Sequence, residues 1–178
     1  MLTSSDPTPH GLRAWKNGEP WLSFTAINWL ESRITPETTV LEWGCGGSTV
    51  WYSKRAGAVD SIEHDPVWLE KVNDRIAHEG LATSTRHYVQ KNPEGCFTTY
   101  SEFARTLGRL FDVVVVDGRG RVRCIKEGKD LVEHHGVLVL DNAERSYYSS
   151  GIALLAGWER IEFPDRWLTT VFLRPEVG

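Results

Sequence analysis

The chain is expected to fold as one α/β domain with a doubly wound, mostly parallel sheet. Three observations predict it. Short apolar runs alternate along the 178 residues with segments of helical periodicity. The run Phe111-Asp112-Val113-Val114-Val115-Val116-Asp117 carries four successive valines, which suits a strand buried on both faces. A glycine-bearing turn, Gly44-Cys45-Gly46-Gly47, separates the first such run from the helix after it.

The elements follow in order. Residues 1–20 are rich in Ser, Pro and Gly and are expected to form a loose arm, with the folded domain running over 21–178. Leu22, Ala26, Trp29, Leu30 and Ile34 recur at helical spacing, and Pro36 stops that helix. The segment 38–42 is the first strand, 48–56 a helix closed by Gly57, and 59–63 the second strand. Pro66 opens a helix over 66–78, where a missing N–H costs nothing. A weak third strand at 85–89 and a helix at 98–110 precede the valine strand at 111–117. A helix is predicted over 121–134, which sets His134 and His135 at its end, against the helix dipole. Then come a buried strand at 136–141, a short helix at 146–156, and two last strands at 158–163 and 168–173.

Composition narrows the function. A net charge of -4 argues against a general nucleic-acid binder, which needs a basic face. No apolar stretch approaches the roughly 18 residues of a membrane span, and the first residues lack the pattern of a secretion signal. Cys45, Cys96 and Cys124 lack metal-type spacing, so reduced thiols and a cytoplasmic location are expected. The eight tryptophans are scattered, which favours core and pocket walls over one patch.

Chemistry concentrates at strand ends. Gly44 and Gly46 permit a tight turn and close approach of backbone to ligand, and the next helix offers free N–H groups. Glu63 ends the second strand, 63 − 44 = 19 residues later, where a carboxylate accepts from two vicinal ribose hydroxyls. Thr49 stands where a dinucleotide turn would carry its third glycine, which argues against a nicotinamide cofactor. Asp117 and the pair Asp141-Asn142 end two more strands, 141 − 117 = 24 residues apart, as three oxygen ligands suited to a hard divalent cation. The alternative is that Asp117 contacts cofactor or substrate and Asn142 caps the next helix.

With Glu42, the turn forms a Glu-x-Gly-x-Gly pattern that resembles the first motif of Rossmann-like, class I S-adenosylmethionine-dependent methyltransferases. The segments 20–27, 46–49, 61–65, 117–124, 140–142 and 169–172 look like those of a group of small bacterial methyltransferases. That resemblance covers about residues 20–174 and implies a seven-stranded sheet with a C-terminal antiparallel strand. It implies S-adenosylmethionine held by Glu42, Gly44, Cys45, Gly46, Gly47, Ser48, Glu63, His64 and Asp117. Asp117, Asp141 and Asn142 resemble the ligands of cation-dependent, catechol-type O-methyltransferases, which implies Mg²⁺ and O-methylation of a small-molecule or sugar hydroxyl. That family's lysine base falls here on Gly120, between Arg119 and Arg121, so the base is left among Asp117, a metal-bound water and Lys126. Arg119 and Arg123 share a helix face, and together with Arg121 they suit an acidic substrate. Arg145, Tyr147 and Tyr148 are expected at the same substrate. A short lid leaves the pocket open or completed by a second copy in a homodimer. The rival readings are a metal-independent O- or N-methyltransferase, an NAD-dependent oxidoreductase, and a cofactor-binding module without catalysis.

Overall fold

The computed structural model describes residues 10–176. Seven strands form one sheet: β1 (Thr39–Trp43), β2 (Ala58–Glu63), β3 (Ser84–Tyr88), β4 (Phe111–Val116), β5 (Val132–Leu140), β6 (Glu159–Phe163) and β7 (Thr169–Leu173). Their order is β3-β2-β1-β4-β5-β7-β6. The first five run parallel, and β7 lies antiparallel to both β5 and β6. The expected single-domain, doubly wound sheet with a C-terminal antiparallel strand is therefore present.

The period-2 alternation of the strands explains the apolar runs. On β4, Val114 and Val116 pack with Trp43, Ile125, Leu138 and Leu140 on one face. Val113 and Val115 pack with Leu30, Tyr52, Val59 and Val139 on the other. Neither face meets water, so four valines in a row are tolerated. The helices that cover the faces are α1 (His10–Asn17), α2 (Phe24–Glu31), α3 (Gly47–Ser53), α4 (Pro66–His78), α5 (Thr98–Glu102), α6 (Arg121–Gly128) and α7 (Ser149–Ile152). None of the described helices is long and apolar enough to cross a membrane.

Four segments differ from expectation; the helix expected over 98–110 is α5 followed by a 3₁₀ stretch at Phe103–Leu107 and an irregular link to β4. Residues 10–17 of the arm form α1, packed with the glycine turn, while residues 1–9 lie outside the described part. The helix after β4 stops at Gly128 and β5 begins at Val132, because buried Leu131 and Val132 are drawn into the sheet: the Phe111 amide donates to Leu131 O at 2.8 Å. His134 and His135 are thus exposed residues of an irregular strand, with His135 at φ +65°, rather than the end of a helix. The segment expected as one helix at 146–156 is a short α-turn between two 3₁₀ turns.

Candidate active site

The carboxyl ends of neighbouring strands β2, β1 and β4 open into a cavity of about 1030 Å³. Doubly wound sheets bind ligands in this crevice, where strands on either side of β1 lead away in opposite directions. The volume sits at the top of the range of roughly 300–1,000 Å³ for ligand pockets, enough for a cofactor and a second molecule.

The glycine turn is its floor. Gly44 has φ +90° and lies against Gly118 after β4, so close that a Cβ on Gly44 would stand 3.0 Å from the Gly118 Cα. Gly118 is equally confined: its Cβ would meet the Trp43 carbonyl carbon at 2.8 Å. Gly46, by contrast, faces open space, with only the Trp68 ring within 4 Å. Thr49, the residue that replaces the third glycine, is fully buried; its hydroxyl accepts from the Gly46 amide at 2.9 Å and donates to Glu42. Glu42 also accepts from Ser48 at 2.7 Å and Ser61 at 2.6 Å. Burial pushes its carboxyl up to about 7, against the pull of those three hydroxyls. Glu42 is therefore a buttress behind the turn, away from the cavity wall, and not the cofactor contact that the motif implied.

Glu63 does reach the wall. Its Oε1 accepts from the amides of His64 at 2.7 Å and Asp65 at 2.9 Å, and its Oε2 from the Cys45 amide at 3.2 Å. These backbone donors fix the carboxylate and leave lone pairs for hydroxyls from the cavity. Asp65 caps α4 by accepting from Val67 and Trp68, and Pro66 stands in the first turn. That geometry swings Trp68 over the turn, where its indole N–H donates to Cys45 O at 2.7 Å. Trp15 of α1 packs on Trp68 with ring centroids 5.0 Å apart, and Phe97 lies edge-on to His64 at 5.2 Å. Cys45, Gly46, Gly47, Ser48 and His64 all line the cavity. Trp15, Trp68 and Phe97 line it too and were missed. The Asp65-Pro66 start signalled Trp68; nothing local marked Trp15.

The strand-end oxygens converge, but around a guanidinium. Arg121, at the start of α6 and 9% exposed, uses all five N–H donors on the protein. Nε donates to Gly118 O at 3.1 Å. One terminal nitrogen donates to Asp141 O and, at 3.3 Å, to Asn142 Oδ1; the other donates to Asp117 O at 2.7 Å and Asp117 Oδ1 at 2.8 Å. Asp141 Oδ1 is meanwhile taken by the Trp167 indole at 2.5 Å and the Thr169 hydroxyl at 3.0 Å. A divalent cation does not fit: a fixed positive charge already occupies the place between the three ligands, and Asp141 and Asn142 sit off the cavity wall. Among the described residues, no group of three or more His, Cys, Asp and Glu is arranged to hold a metal. The expected Asp117-Asp141-Asn142 cation site is thus corrected to an arginine-bridged cluster. Asp117 remains on the wall, its carboxyl held above the usual range by burial first and then by the like charge of Asp141.

Arg119, Arg145, Tyr147 and Tyr148 border the same cavity. Tyr148 is a buried prop, its ring 5.5 Å from the Arg121 guanidinium, while Tyr147 is 64% exposed at the mouth. Lys126 is exposed and off the wall; five residues past Arg121, it lies roughly 140° round the helix. It is therefore removed as a candidate base.

No family model matches the sequence, and no curated protein matches it. Solved structures do resemble the fold. A candidate caffeoyl-CoA O-methyltransferase from Staphylococcus aureus aligns with TM-score 0.69 and 12% identity, over 92% of this chain and 90% of its own. A candidate methyltransferase from Streptococcus mutans, solved in complex with S-adenosylhomocysteine, aligns at 0.65 and 8% identity, over 83% and 94%. A methyltransferase-like protein from Silicibacter pomeroyi aligns at 0.60 with 22% identity, over 99% and 90%. At such identities the likeness speaks for architecture, and with the strand order it establishes that this chain has the Rossmann-like methyltransferase fold.

Proposed function

We propose that this chain is an S-adenosylmethionine-dependent methyltransferase that methylates a small-molecule hydroxyl without a divalent cation. One observation carries the reading: the open Gly46 turn, the backbone-fixed Glu63 carboxylate and Asp117 meet in a single cavity large enough for two ligands. S-adenosylmethionine supplies a sulfonium-bound methyl group and is released as the neutral thioether once the substrate oxygen has taken that methyl. Glu63 accepts hydrogen bonds from the ribose hydroxyls. Trp68, His64 and Phe97 give the cavity aromatic walls against a flat ring. Asp117, whose raised carboxyl pKa makes it a stronger base than an ordinary aspartate, takes the proton that the hydroxyl gives up. Arg121 holds Asp117 in place while spending no donor on substrate. The protein's main contribution is to hold oxygen and methyl in line.

Calorimetric titration with S-adenosylhomocysteine, and separately with NAD, tests the reading. S-adenosylhomocysteine is expected to bind and NAD not. Glu63→Ala should weaken the first by about tenfold or more, since hydrogen bonds to a charged group are worth roughly 1.5–3 kcal/mol. No binding of S-adenosylhomocysteine to folded wild-type protein would overturn it.

A further inference from the structure

Beyond Asp117, the outer wall of the cavity carries Arg119 and Arg123 from the β4–α6 corner and Arg145 from the loop after β5. All three are exposed. Among the described residues none of them pairs with a carboxylate, and Arg145 donates to the Tyr147 hydroxyl at 3.1 Å and hydrogen-bonds the Tyr148 side chain. Elsewhere Arg55, Arg75, Arg105 and Arg109 pair with Glu31, Glu79, Glu127 and Asp60. The contrast matters because acidic residues outnumber basic ones, 24 against 20. Carboxylates are in excess, and Asp117 and Glu63 share the cavity, yet among the described residues none forms an ion pair with these arginines. Arg119 lies before α6, whose N-cap is Gly120 at φ +62°, so it does not share a helix face with Arg123 as expected; both nonetheless border the cavity. Three unpaired positive charges around one hollow repel one another, and a bound anion would relieve that repulsion. The guanidinium fork matches the oxygens of a carboxylate or phosphate two at a time. Trp21 and Tyr147, 48% and 64% exposed, add flat apolar walls beside them.

We propose that the methyl-accepting substrate is a small organic anion, whose carboxylate or phosphate is gripped by Arg119, Arg123 and Arg145 while its hydroxyl faces Asp117. This rests on the methyltransferase reading for the hydroxyl; the anion site itself stands on the arginines alone.

The test titrates the wild-type protein, with and without saturating S-adenosylhomocysteine, against 3-hydroxybenzoate, phenyl phosphate and the neutral 3-hydroxybenzyl alcohol. Both anions are expected to bind at least tenfold more tightly than the alcohol, and the tighter of the two identifies the acid group. Raising salt from 50 to 500 mM should weaken both several-fold. The double variant Arg123→Gln, Arg145→Gln should lose at least tenfold in anion affinity while its affinity for S-adenosylhomocysteine and its melting temperature stay unchanged. Equal binding of anions and alcohol, absence of anion binding, or anion affinity unmoved in the double variant overturns the proposal. So does a short RNA that binds more tightly than either small anion and is lost in the same variant. Failure to bind S-adenosylhomocysteine with the anion contrast intact overturns the methyltransferase reading and leaves the anion site standing.

Discussion

Glu42 is a carboxylate buried to 1% exposure with three hydroxyl donors and no cation paired to it among the described residues. Its folded-state value of about 7 lies above the 4.5 of a free glutamate, so the fold keeps this proton longer than the unfolded chain does. Its contribution to stability is complete below about pH 4.5, is lost as pH rises to about 7, and is constant beyond. The span corresponds to on the order of 3 kcal/mol. Chemical denaturation across pH 4 to 8 should show Glu42→Gln losing that decline relative to wild type; parallel curves would show that Glu42 does not titrate in this window. Arg121 is the opposite case, a cation among acids. Arg121→Ala leaves Asp117 and Asp141 facing each other uncompensated and is expected to cost about 3–5 kcal/mol. It also vacates the place between three oxygen ligands. Mn²⁺ or Mg²⁺ should then raise the variant's melting temperature while leaving wild type unmoved, and an equal rise in both proteins would refute the guanidinium-for-metal reading. The strand-end positions of Asp117, Asp141 and Asn142 were legible from chain spacing. What stands between them was not, because Arg121 looked like one of three equivalent arginines until α6 turned its side chain inward.

Two adjacent glycines in the turn answer to different elements. A Cβ on Gly47 would meet the carbonyl oxygens of Glu19 and, at 2.7 Å, Ala14, so α1 and the residues after it press against the turn. A Cβ on Gly46 would touch nothing but the Trp68 ring, at 3.7 Å. Gly47→Ala is therefore expected to push α1 away, lowering stability by about 1–3 kcal/mol and red-shifting tryptophan emission as Trp15 leaves Trp68. Gly46→Ala should keep the wild-type melting temperature and lose affinity for S-adenosylhomocysteine, since the methyl enters the space the cofactor would use. Similar behaviour of the two variants, by calorimetry and emission, would refute this division. The sequence marked both glycines as one motif. Residues 10–17 are amphipathic enough for a helix, but they sit amid Ser, Pro and Gly, and the partner that stabilises α1 lies some thirty residues further along the chain, in α3.

Across the whole molecule, charge is sorted rather than balanced. The chain is acidic overall, but the cavity's outer wall is basic and its floor carries Glu63. With Arg121 supplying the fixed charge, binding of S-adenosylhomocysteine should be the same in EDTA and in millimolar Mg²⁺; a several-fold dependence on the metal by calorimetry would overturn that. The sequence by itself determined the α/β alternation, the buried parallel strands, the glycine turn and the acid at the end of β2, because these rest on local backbone preference and on periodic burial. Only the tertiary structure decided that Glu42 hides behind the turn, that Lys126 faces away, that β5 begins at Val132, and that an arginine fills the space between Asp117, Asp141 and Asn142. Each of those depends on which residues meet across distant strands and on where a side chain turns, and neither is written in the spacing along the chain.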